Sequence, residues 1–320
     1  MPPKRGVIFF SILWVLYASL LFASRPWWPG RALISPLAQT NELTTASDLT
    51  FSFIRKNTKW LLGSQVLAAT TARPPDVSAK SVLILDVESG KVLYEKEASQ
   101  RRPAASLVKI MTAIVAFERG FLENTMVVSQ KAAEQPSHVM GLSPGEVVPL
   151  KDLLYGLFLV SGNDAAMAIG EGLAGSETRF VSWMNAKAEN LGLQDTKFVN
   201  PSGLDEDSEQ QYTTAHDLAV MTRYALGEFK DFGEMIKTRT YVSDYDPGKH
   251  KVYAFDNETP LLGRVDGVIG VKDGYTPEAG LCLISLAERN GKKVLVVILD
   301  AETRRQDAES LLDYGFQVLQ

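Results

Sequence analysis

The chain has 320 residues, a formal net charge of −5, and 45% hydrophobic against 22% charged residues. This composition is typical of a globular protein with a full-sized core, and the mild acidity without a basic run argues against nucleic acid as a partner. The single cysteine, Cys282, excludes a disulfide within the chain, and no two of the three histidines lie at a metal-ligand spacing, so no metal site is expected.

The N-terminus has the pattern of a targeting segment. Lys4 and Arg5 precede an apolar run over residues 7–23, and Trp27 and Trp28 follow it. The run has the length of a short membrane-spanning helix, and tryptophans favour the membrane–water interface. We expect residues 1–24 to be an uncleaved membrane anchor that leaves the rest of the chain outside the cytoplasm. A cleaved signal peptide is the alternative.

The next segment, residues 25–76, is interpreted as a stalk or linker because it is rich in Pro, Thr, Ser and Asn. Scattered apolar residues with three basic residues over 51–67 also fit a short amphipathic helix on a membrane surface. The folded domain is predicted to span residues 77–320.

Strand patterns occur at both ends of this domain. Apolar, β-rich runs lie at 81–87 and 92–94 near its start, and at 267–274, 280–287 and 293–300 near its end. Asn290-Gly291 between the last two runs is typical of a hairpin turn. The strands of one end are therefore expected to pair with those of the other.

Helical periodicity fills the region between these strands and closes the chain. Since strands flank helices in this order, we predict an α+β fold with an antiparallel sheet formed from N- and C-terminal strands, flanked by helices, with a mainly helical insert. The predicted helices cover residues 104–119, 150–160, 165–173, 177–191, 216–226 and 309–319.

The first motif with chemical content is Ser106-Leu107-Val108-Lys109. Residues three apart at the start of a helix share one face, so the Lys109 amine can reach the Ser106 hydroxyl. A serine hydroxyl needs an adjacent base to become a nucleophile, and a lysine serves only when its pKa is lowered. An exposed Ser and Lys on a helix is the alternative, which the small and apolar flanking residues disfavour.

Two further motifs are weaker when taken singly. Ser161-Gly162-Asn163 places a hydroxyl and an amide on a turn after a helix, although it also fits a helix end followed by a cap. Lys272-Asp273-Gly274 places a lysine at a strand end, where glycine permits close approach of a substrate backbone. An ordinary strand end is the alternative there.

In this order the three motifs resemble the serine penicillin-binding and β-lactamase superfamily. The resemblance is closest to the low-molecular-weight serine-type D-alanyl-D-alanine carboxypeptidases of peptidoglycan, and it covers about residues 77–318. It extends to residues 86–94 (DVESGKVLY), 102–113 (RPAASLVKIMTA), 198–204 (FVNPSGL) and 274–280 (GYTPEAG).

The resemblance implies a role for each matching residue. Ser106 is the expected acylated nucleophile, Lys109 its base, Ser161 the proton relay to the leaving nitrogen, and Asn163 the residue that orients Lys109 and the substrate amide. Lys272, Asp273, Gly274 and Tyr275 are the expected substrate-binding residues, with the backbone N–H groups of Ser106 and Tyr275 forming the oxyanion hole.

The implied reaction removes the terminal D-alanine from peptidoglycan stem pentapeptides through an acyl-enzyme. The implied partners are the stem peptide, β-lactam inhibitors and, through the N-terminal segment, the bacterial cytoplasmic membrane on its extracytoplasmic face. No cofactor is implied. A β-lactamase shares the three motifs, but the wider resemblance points away from it.

Asp273 departs from the family pattern, which has threonine at this position. Its charge opposes a substrate carboxylate by roughly 4 kcal/mol at about 4 Å and an effective dielectric of 20. Asp273 is therefore expected to pair with Lys272 or another cation, to be protonated, or to slow the enzyme or change its acceptor preference. The alternative functions are a peptidoglycan DD-endopeptidase of the same family and a weakly active or non-catalytic cell-wall binding protein.

Overall fold

Apolar runs form strands at both ends of the domain, and amphipathic stretches between them form helices. The computed structural model of the protein describes residues 60, 62, 63, 72–205 and 210–320. The strands in these ranges are β1 (Ser81–Asp86), β2 (Val92–Lys96), β3 (Thr125–Val127), β4 (Val147–Pro149), β5 (Thr240–Val242), β6 (Ala254–Asp256), β7 (Val268–Thr276), β8 (Gly280–Arg289) and β9 (Lys292–Ala301). A 3₁₀ turn (Ala105–Val108) precedes the helices α1 (Lys109–Arg119), α2 (Gln130–Ala133), α3 (Leu150–Leu159), α4 (Asn163–Ala174), α5 (Glu177–Asn190), α6 (Ala215–Glu228), α7 (Lys230–Lys237) and α8 (Arg304–Val318).

Five strands form one antiparallel sheet in the order β2-β1-β9-β8-β7. Strand β1 pairs with β2 on one side and with β9 on the other, so N- and C-terminal strands share one sheet, as the sequence predicts. Strand β7 lies at the edge of the sheet, and its side against the 3₁₀ turn is where the three motifs meet. The predicted α+β architecture with a mainly helical insert, α1 to α7 between β2 and β7, is confirmed.

The central strands are apolar on both faces because both faces are covered. In β1, Leu83 and Leu85 join the core beneath the helical insert, whereas Val82 and Ile84 join the core beneath α8. Alternate residues of a strand point to opposite sides, so an uninterrupted apolar run is what a two-sided core requires. Such a sheet is a rigid platform for the edge strand β7.

Three details differ from the sequence-based expectations. The predicted helix 104–119 is a 3₁₀ turn followed by an α-helix that begins at Lys109, and the closing helix begins at Arg304 rather than at 309. The short elements α2 and α7 and the two-stranded pairs β3–β4 and β5–β6 were not predicted, because segments of three to eight residues carry little periodicity.

Trp60, which falls in the predicted stalk, packs against the domain. The residue is 8% exposed, and its ring lies edge-on to Tyr224 and under the guanidinium of Arg223. A Cβ at Gly227 would lie 2.0 Å from the Trp60 ring, so only glycine admits the indole here. The N–H of Gly63 also donates to the carbonyl of Gly90 at 3.0 Å. The division at residue 77 stays a prediction.

No helix in the described part of the chain is long and apolar enough to cross a membrane. The predicted anchor, residues 1–24, lies outside the described residues, as does most of the predicted stalk.

Candidate active site

The predicted nucleophile lies on the 3₁₀ turn that leads into α1. A 3₁₀ helix has three residues per turn, so the side chains of Ser106 and Lys109 lie on the same side of it. The Nζ atom of Lys109 is 2.9 Å from the Oγ atom of Ser106. Local winding of the chain is therefore sufficient to bring the amine to the hydroxyl.

Lys109 is fully buried, with 0% of its surface exposed. Its Nζ also donates to Oδ1 of Asn163 at 2.7 Å and to the backbone carbonyl of Ser202 at 2.7 Å. Neither oxygen can donate a hydrogen bond, so a neutral amine uses both of its protons on them and turns its lone pair toward the Ser106 hydroxyl. This is the arrangement that a general base requires.

The surroundings of Lys109 favour the neutral amine. Burial, reinforced by the positive charge of Lys272, holds the pKa of Lys109 well below its usual value, against the opposing influence of Asp164 and Asp273. A lysine with a lowered pKa can accept the Ser106 proton at neutral pH, which an exposed lysine cannot do.

The second motif lies on the turn between α3 and α4. Ser161 has φ +58° and is 7% exposed, while Asn163 is the first residue of α4. The Nδ2 atom of Asn163 donates to the carbonyls of Pro136 at 2.9 Å and Ser137 at 2.6 Å. These two bonds orient the amide with its oxygen toward Lys109.

The next residue, Asp164, holds the loop that borders Asn163. Its buried carboxylate receives four backbone N–H groups and ties the loop to the start of α4. The donors are Met140 at 2.9 Å, Gly141 at 2.9 Å, Leu142 at 3.0 Å and Ala165 at 2.8 Å.

Two glycines let the chain close around the nucleophile. A Cβ at Gly203 would lie 2.0 Å from the carbonyl oxygen of Ala105, and the residue has φ +86°. A Cβ at Gly274 would lie 2.9 Å from the backbone nitrogen of Ser106. Since real Cβ atoms do not approach backbone this closely, the loop carrying Ser202 and the edge strand β7 both need glycine at these points.

The third motif forms an ion-pair cluster. The Nζ atom of Lys272 donates to the backbone carbonyl of Asp273 at 2.9 Å and lies 3.3 Å from its carboxylate. The other carboxylate oxygen accepts from Nη2 of Arg304 at 2.7 Å. Nη1 of the same guanidinium donates to the carbonyl of Gly274 at 2.8 Å.

Asp273 is ionised in this cluster. Burial raises the pKa of its carboxyl, but the positive charges of Lys272 and Arg304 outweigh burial and hold the pKa below its ordinary value. Of the three outcomes expected for Asp273, pairing with cations is the one observed. The prediction of a protonated Asp273 is wrong. An effect on rate or acceptor preference stays a prediction.

Tyr275 follows the cluster on β7 and is 61% exposed, at the open side of the site. The close approach of Gly274 to Ser106 places this part of the strand next to the nucleophile. The paired N–H groups of Ser106 and Tyr275 as an oxyanion hole stay a prediction.

The structure thus brings together Ser106, Lys109 and Asn163, and sets the backbone of Gly274 beside them. Sequence reasoning missed Arg304, which lies 31 residues beyond its partner Asp273, and the structural role of Asp164. An arginine at a helix start gives no local signal of a distant partner, whereas Ser202 and Gly203 lie in the stretch 198–204 that carried the resemblance.

Among residues that the structure describes, no three His, Cys, Asp or Glu side chains converge as metal ligands would. Cys282 is buried in β8 next to the ion-pair cluster of Lys272, Asp273 and Arg304, and burial raises the pKa of its thiol to about 11. It is therefore an unreactive core residue.

Comparisons with known proteins agree with this geometry. A family model described as D-alanyl-D-alanine carboxypeptidase, Peptidase_S11, matches residues 68–303. D-alanyl-D-alanine carboxypeptidase DacF of Bacillus subtilis is 36% identical over 246 residues, which are 74% of this chain and 62% of that protein. DacB2 of Mycobacterium tuberculosis is 33% identical over 248 residues, 76% of this chain and 84% of that protein. The chain thus spans less than two thirds of the Bacillus relative.

Solved structures show the same fold. A D-alanyl-D-alanine carboxypeptidase from Mycobacterium tuberculosis H37Rv has a TM-score of 0.73 and 32% identity, covering 79% of this chain and 96% of that one. Penicillin-binding protein D2 from Listeria monocytogenes, in its ampicillin-bound form, has a TM-score of 0.68 and 31% identity, covering 77% of this chain and all of that one.

Proposed function

Because this chain belongs to the Peptidase_S11 family of D-alanyl-D-alanine carboxypeptidases, we propose that it removes the terminal D-alanine from peptidoglycan stem pentapeptides through an acyl-enzyme on Ser106. The observation that carries the proposal is the buried Lys109 amine, which lies 2.9 Å from the Ser106 hydroxyl and is hydrogen bonded to two neutral oxygens. Burial and the positive charge of Lys272 lower its pKa and so favour the neutral amine.

The proposed chemistry assigns a role to each of these residues. Lys109 takes the proton of the Ser106 hydroxyl while Oγ attacks the carbonyl carbon of the penultimate D-alanine. Backbone N–H groups at Ser106 and Tyr275 stabilise the oxyanion. Ser161 passes its hydroxyl proton to the leaving nitrogen as the C–N bond breaks and takes the proton held by Lys109 in its place, which leaves the lysine neutral again. Water then hydrolyses the ester, releasing the shortened peptide and restoring the serine.

The same serine is the proposed target of β-lactams. Penicillin-binding protein D2 of Listeria is known in ampicillin-bound and cefotaxime-bound forms, and it shares this fold at 31% and 32% identity. A β-lactam presents a strained amide to the nucleophile, so acylation of Ser106 is the expected outcome here.

The proposed location is the extracytoplasmic face of the bacterial membrane. Support comes from the sequence, in which Lys4 and Arg5 precede the apolar run 7–23. Residues 1–24 are proposed as the anchor, and cleavage after this segment would release the protein instead. Membrane fractionation of the full-length chain, with its N-terminal sequence determined, distinguishes the two.

The deciding experiment incubates the protein with diacetyl-L-Lys-D-Ala-D-Ala and measures free D-alanine, in parallel with labelling by a fluorescent penicillin. Wild type should release D-alanine and become labelled, and Ser106→Ala should do neither. Ser182→Ala, on the exposed surface of α5, is the matched control and should behave as wild type. Unlabelled, inactive wild type would favour the non-catalytic cell-wall binding protein.

One observation favours a second candidate, a DD-endopeptidase of the same family. Asp273 is paired with both Lys272 and Arg304, and its negative charge opposes the free C-terminal carboxylate of a carboxypeptidase substrate. Cleavage of a purified crosslinked muropeptide dimer without release of D-alanine from the pentapeptide would select this function.

A further inference from the structure

The cluster on β7 contains an anion, Asp273, whose charge acts on the Lys109 amine. Asp273 immediately precedes Gly274, the residue whose position allows β7 to approach the Ser106 backbone. The guanidinium of Arg304 is tethered to the same place, because it donates to the carbonyl of Gly274 at 2.8 Å and to the Asp273 carboxylate at 2.7 Å. The charges of this cluster therefore act on whatever group a substrate places alongside β7.

Both cations of the cluster are already paired. The Asp273 carboxylate lies 3.3 Å from Nζ of Lys272 with one oxygen and 2.7 Å from Nη2 of Arg304 with the other. The three side chains are 21%, 2% and 16% exposed respectively, so water screens these contacts only in part. A carboxylate from a substrate must compete with Asp273 for the same donors.

The net charge of the cluster shows what this competition changes. Lys272 and Arg304 without an anion would carry +2, and with Asp273 they carry +1. An added carboxylate therefore gains less attraction and also meets a like charge. A neutral group, such as the amide of a continuing peptide or of an amidated C-terminus, is not repelled by the Asp273 carboxylate. It can form hydrogen bonds with the backbone N–H and C=O groups of β7.

We propose that Asp273, held by Arg304, is a specificity-determining residue that shifts the preference for the leaving group away from a free C-terminal carboxylate and toward a neutral, amide-continued one. The proposal rests on the proposed function, since it concerns the leaving group of the same acyl transfer from D-alanine to Ser106. The bond broken and the acyl-enzyme are the same for both substrates, and only the departing amine differs, D-alanine or its amide.

Two peptides test the preference directly. Diacetyl-L-Lys-D-Ala-D-Ala ends in a carboxylate, and diacetyl-L-Lys-D-Ala-D-Ala-NH₂ ends in a neutral amide. We expect the ratio of kcat/KM for the free acid to that for the amide to be near or below one in wild type. In Asp273→Asn and Asp273→Thr the ratio should rise at least about tenfold, mainly through a lower KM for the free acid.

Control variants separate this effect from loss of structure. Asp195→Asn removes a surface carboxylate that pairs with Arg101, and it should leave both kcat/KM values unchanged. Two different replacements of Asp273 are used because either one alone can disturb Arg304, and labelling of Ser106 by a fluorescent penicillin reports that each variant retains its nucleophile.

The outcomes are distinct. A ratio well above one in wild type that stays the same in both Asp273 variants would overturn the proposal while leaving the proposed function intact. No hydrolysis of either peptide by any variant would overturn the proposed function and the specificity proposal with it.

Discussion

Lys109 and Lys272, one on the helical side of the site and one on the strand side, are 0% and 1% exposed. Their partners differ in charge. The amine of Lys109 contacts a hydroxyl, an amide oxygen and a backbone carbonyl, all neutral, whereas the amine of Lys272 contacts a carbonyl and the Asp273 carboxylate.

Burial alone therefore does not decide what a lysine does. Without an anion in contact, desolvation favours the neutral amine, which suits a base. With a carboxylate in contact, a buried lysine forms an ion pair and can serve an electrostatic role. The site contains one lysine of each kind, and the carboxylate lies on the strand side.

The largest effect is expected when the lysine on the helical side, Lys109, is replaced by a side chain that cannot become neutral. Lys109→Arg keeps a long cationic side chain, but a guanidinium does not lose its proton in proteins. We expect the rate of penicillin acylation and of D-alanine release to fall by about 10³-fold or more, within the range for loss of a general base. Lys131→Arg, at an exposed salt bridge with Glu177, is the control and should be neutral. Activity above about a tenth of wild type would contradict the assignment of Lys109.

A second test separates the two sides of the site. Gly274→Ala places a Cβ 2.9 Å from the Ser106 backbone nitrogen and pushes β7 away from the nucleophile. A displacement on the order of 1 Å lowers kcat by about 10²-fold. In α7, a Cβ at Gly233 would meet only open space, so Gly233→Ala should keep full activity and gain up to about 1 kcal/mol of stability. Equal activity of the two variants, measured with the same peptide, would show that the close approach is not needed.

A third test gives Lys109 the kind of partner that Lys272 has. Asn163→Asp introduces a carboxylate beside the Lys109 amine, which should raise the lysine's pKa and favour its protonated form. Acylation near neutral pH should fall about tenfold for each pKa unit gained and recover as the pH rises. The pH profile of penicillin acylation measures this, with Asn290→Asp in the exposed β8–β9 turn as the control. A profile that keeps its midpoint and only loses amplitude would indicate a structural defect instead.

The smallest expected effect is on stability. The pKa of Lys109 is lowered in the folded state relative to 10.5, so between that lowered pKa and 10.5 the unfolded chain binds a proton that the folded protein does not. Lowering the pH then favours unfolding, and the free energy of unfolding should increase with pH by about 1.4 kcal/mol per unit between the lowered pKa and 10.5. Urea denaturation of wild type and Lys109→Met between about pH 7 and 10 should show this slope only in wild type. Parallel curves for the two proteins would mean that Lys109 stays charged in the folded state.

Local sequence patterns were enough to predict the fold and part of the candidate site. Uninterrupted apolar runs at 81–87, 280–287 and 293–300 predicted strands, and all three lie in the central sheet. The three-residue spacing of Ser106 and Lys109 predicted their contact, because the distance along a helical turn depends only on local winding. The predicted helix boundary at 104 was wrong, since a 3₁₀ turn has the same apolar spacing over four residues.

Contacts between distant parts of the chain needed the folded structure. The Asn163 and Ser202 acceptors of Lys109 lie 54 and 93 residues beyond it, and Arg304 lies 31 residues beyond Asp273. Residue types at such separations are uncorrelated in one sequence. Packing of α4 against α1 and of β7 against the 3₁₀ turn, with Arg304 at the start of α8 bonded to β7, brings them together. The motifs therefore identified which residues take part, whereas the protonation of Lys109 and the pairing of Asp273 depend on burial and on neighbouring charges, which arise only when the chain is folded.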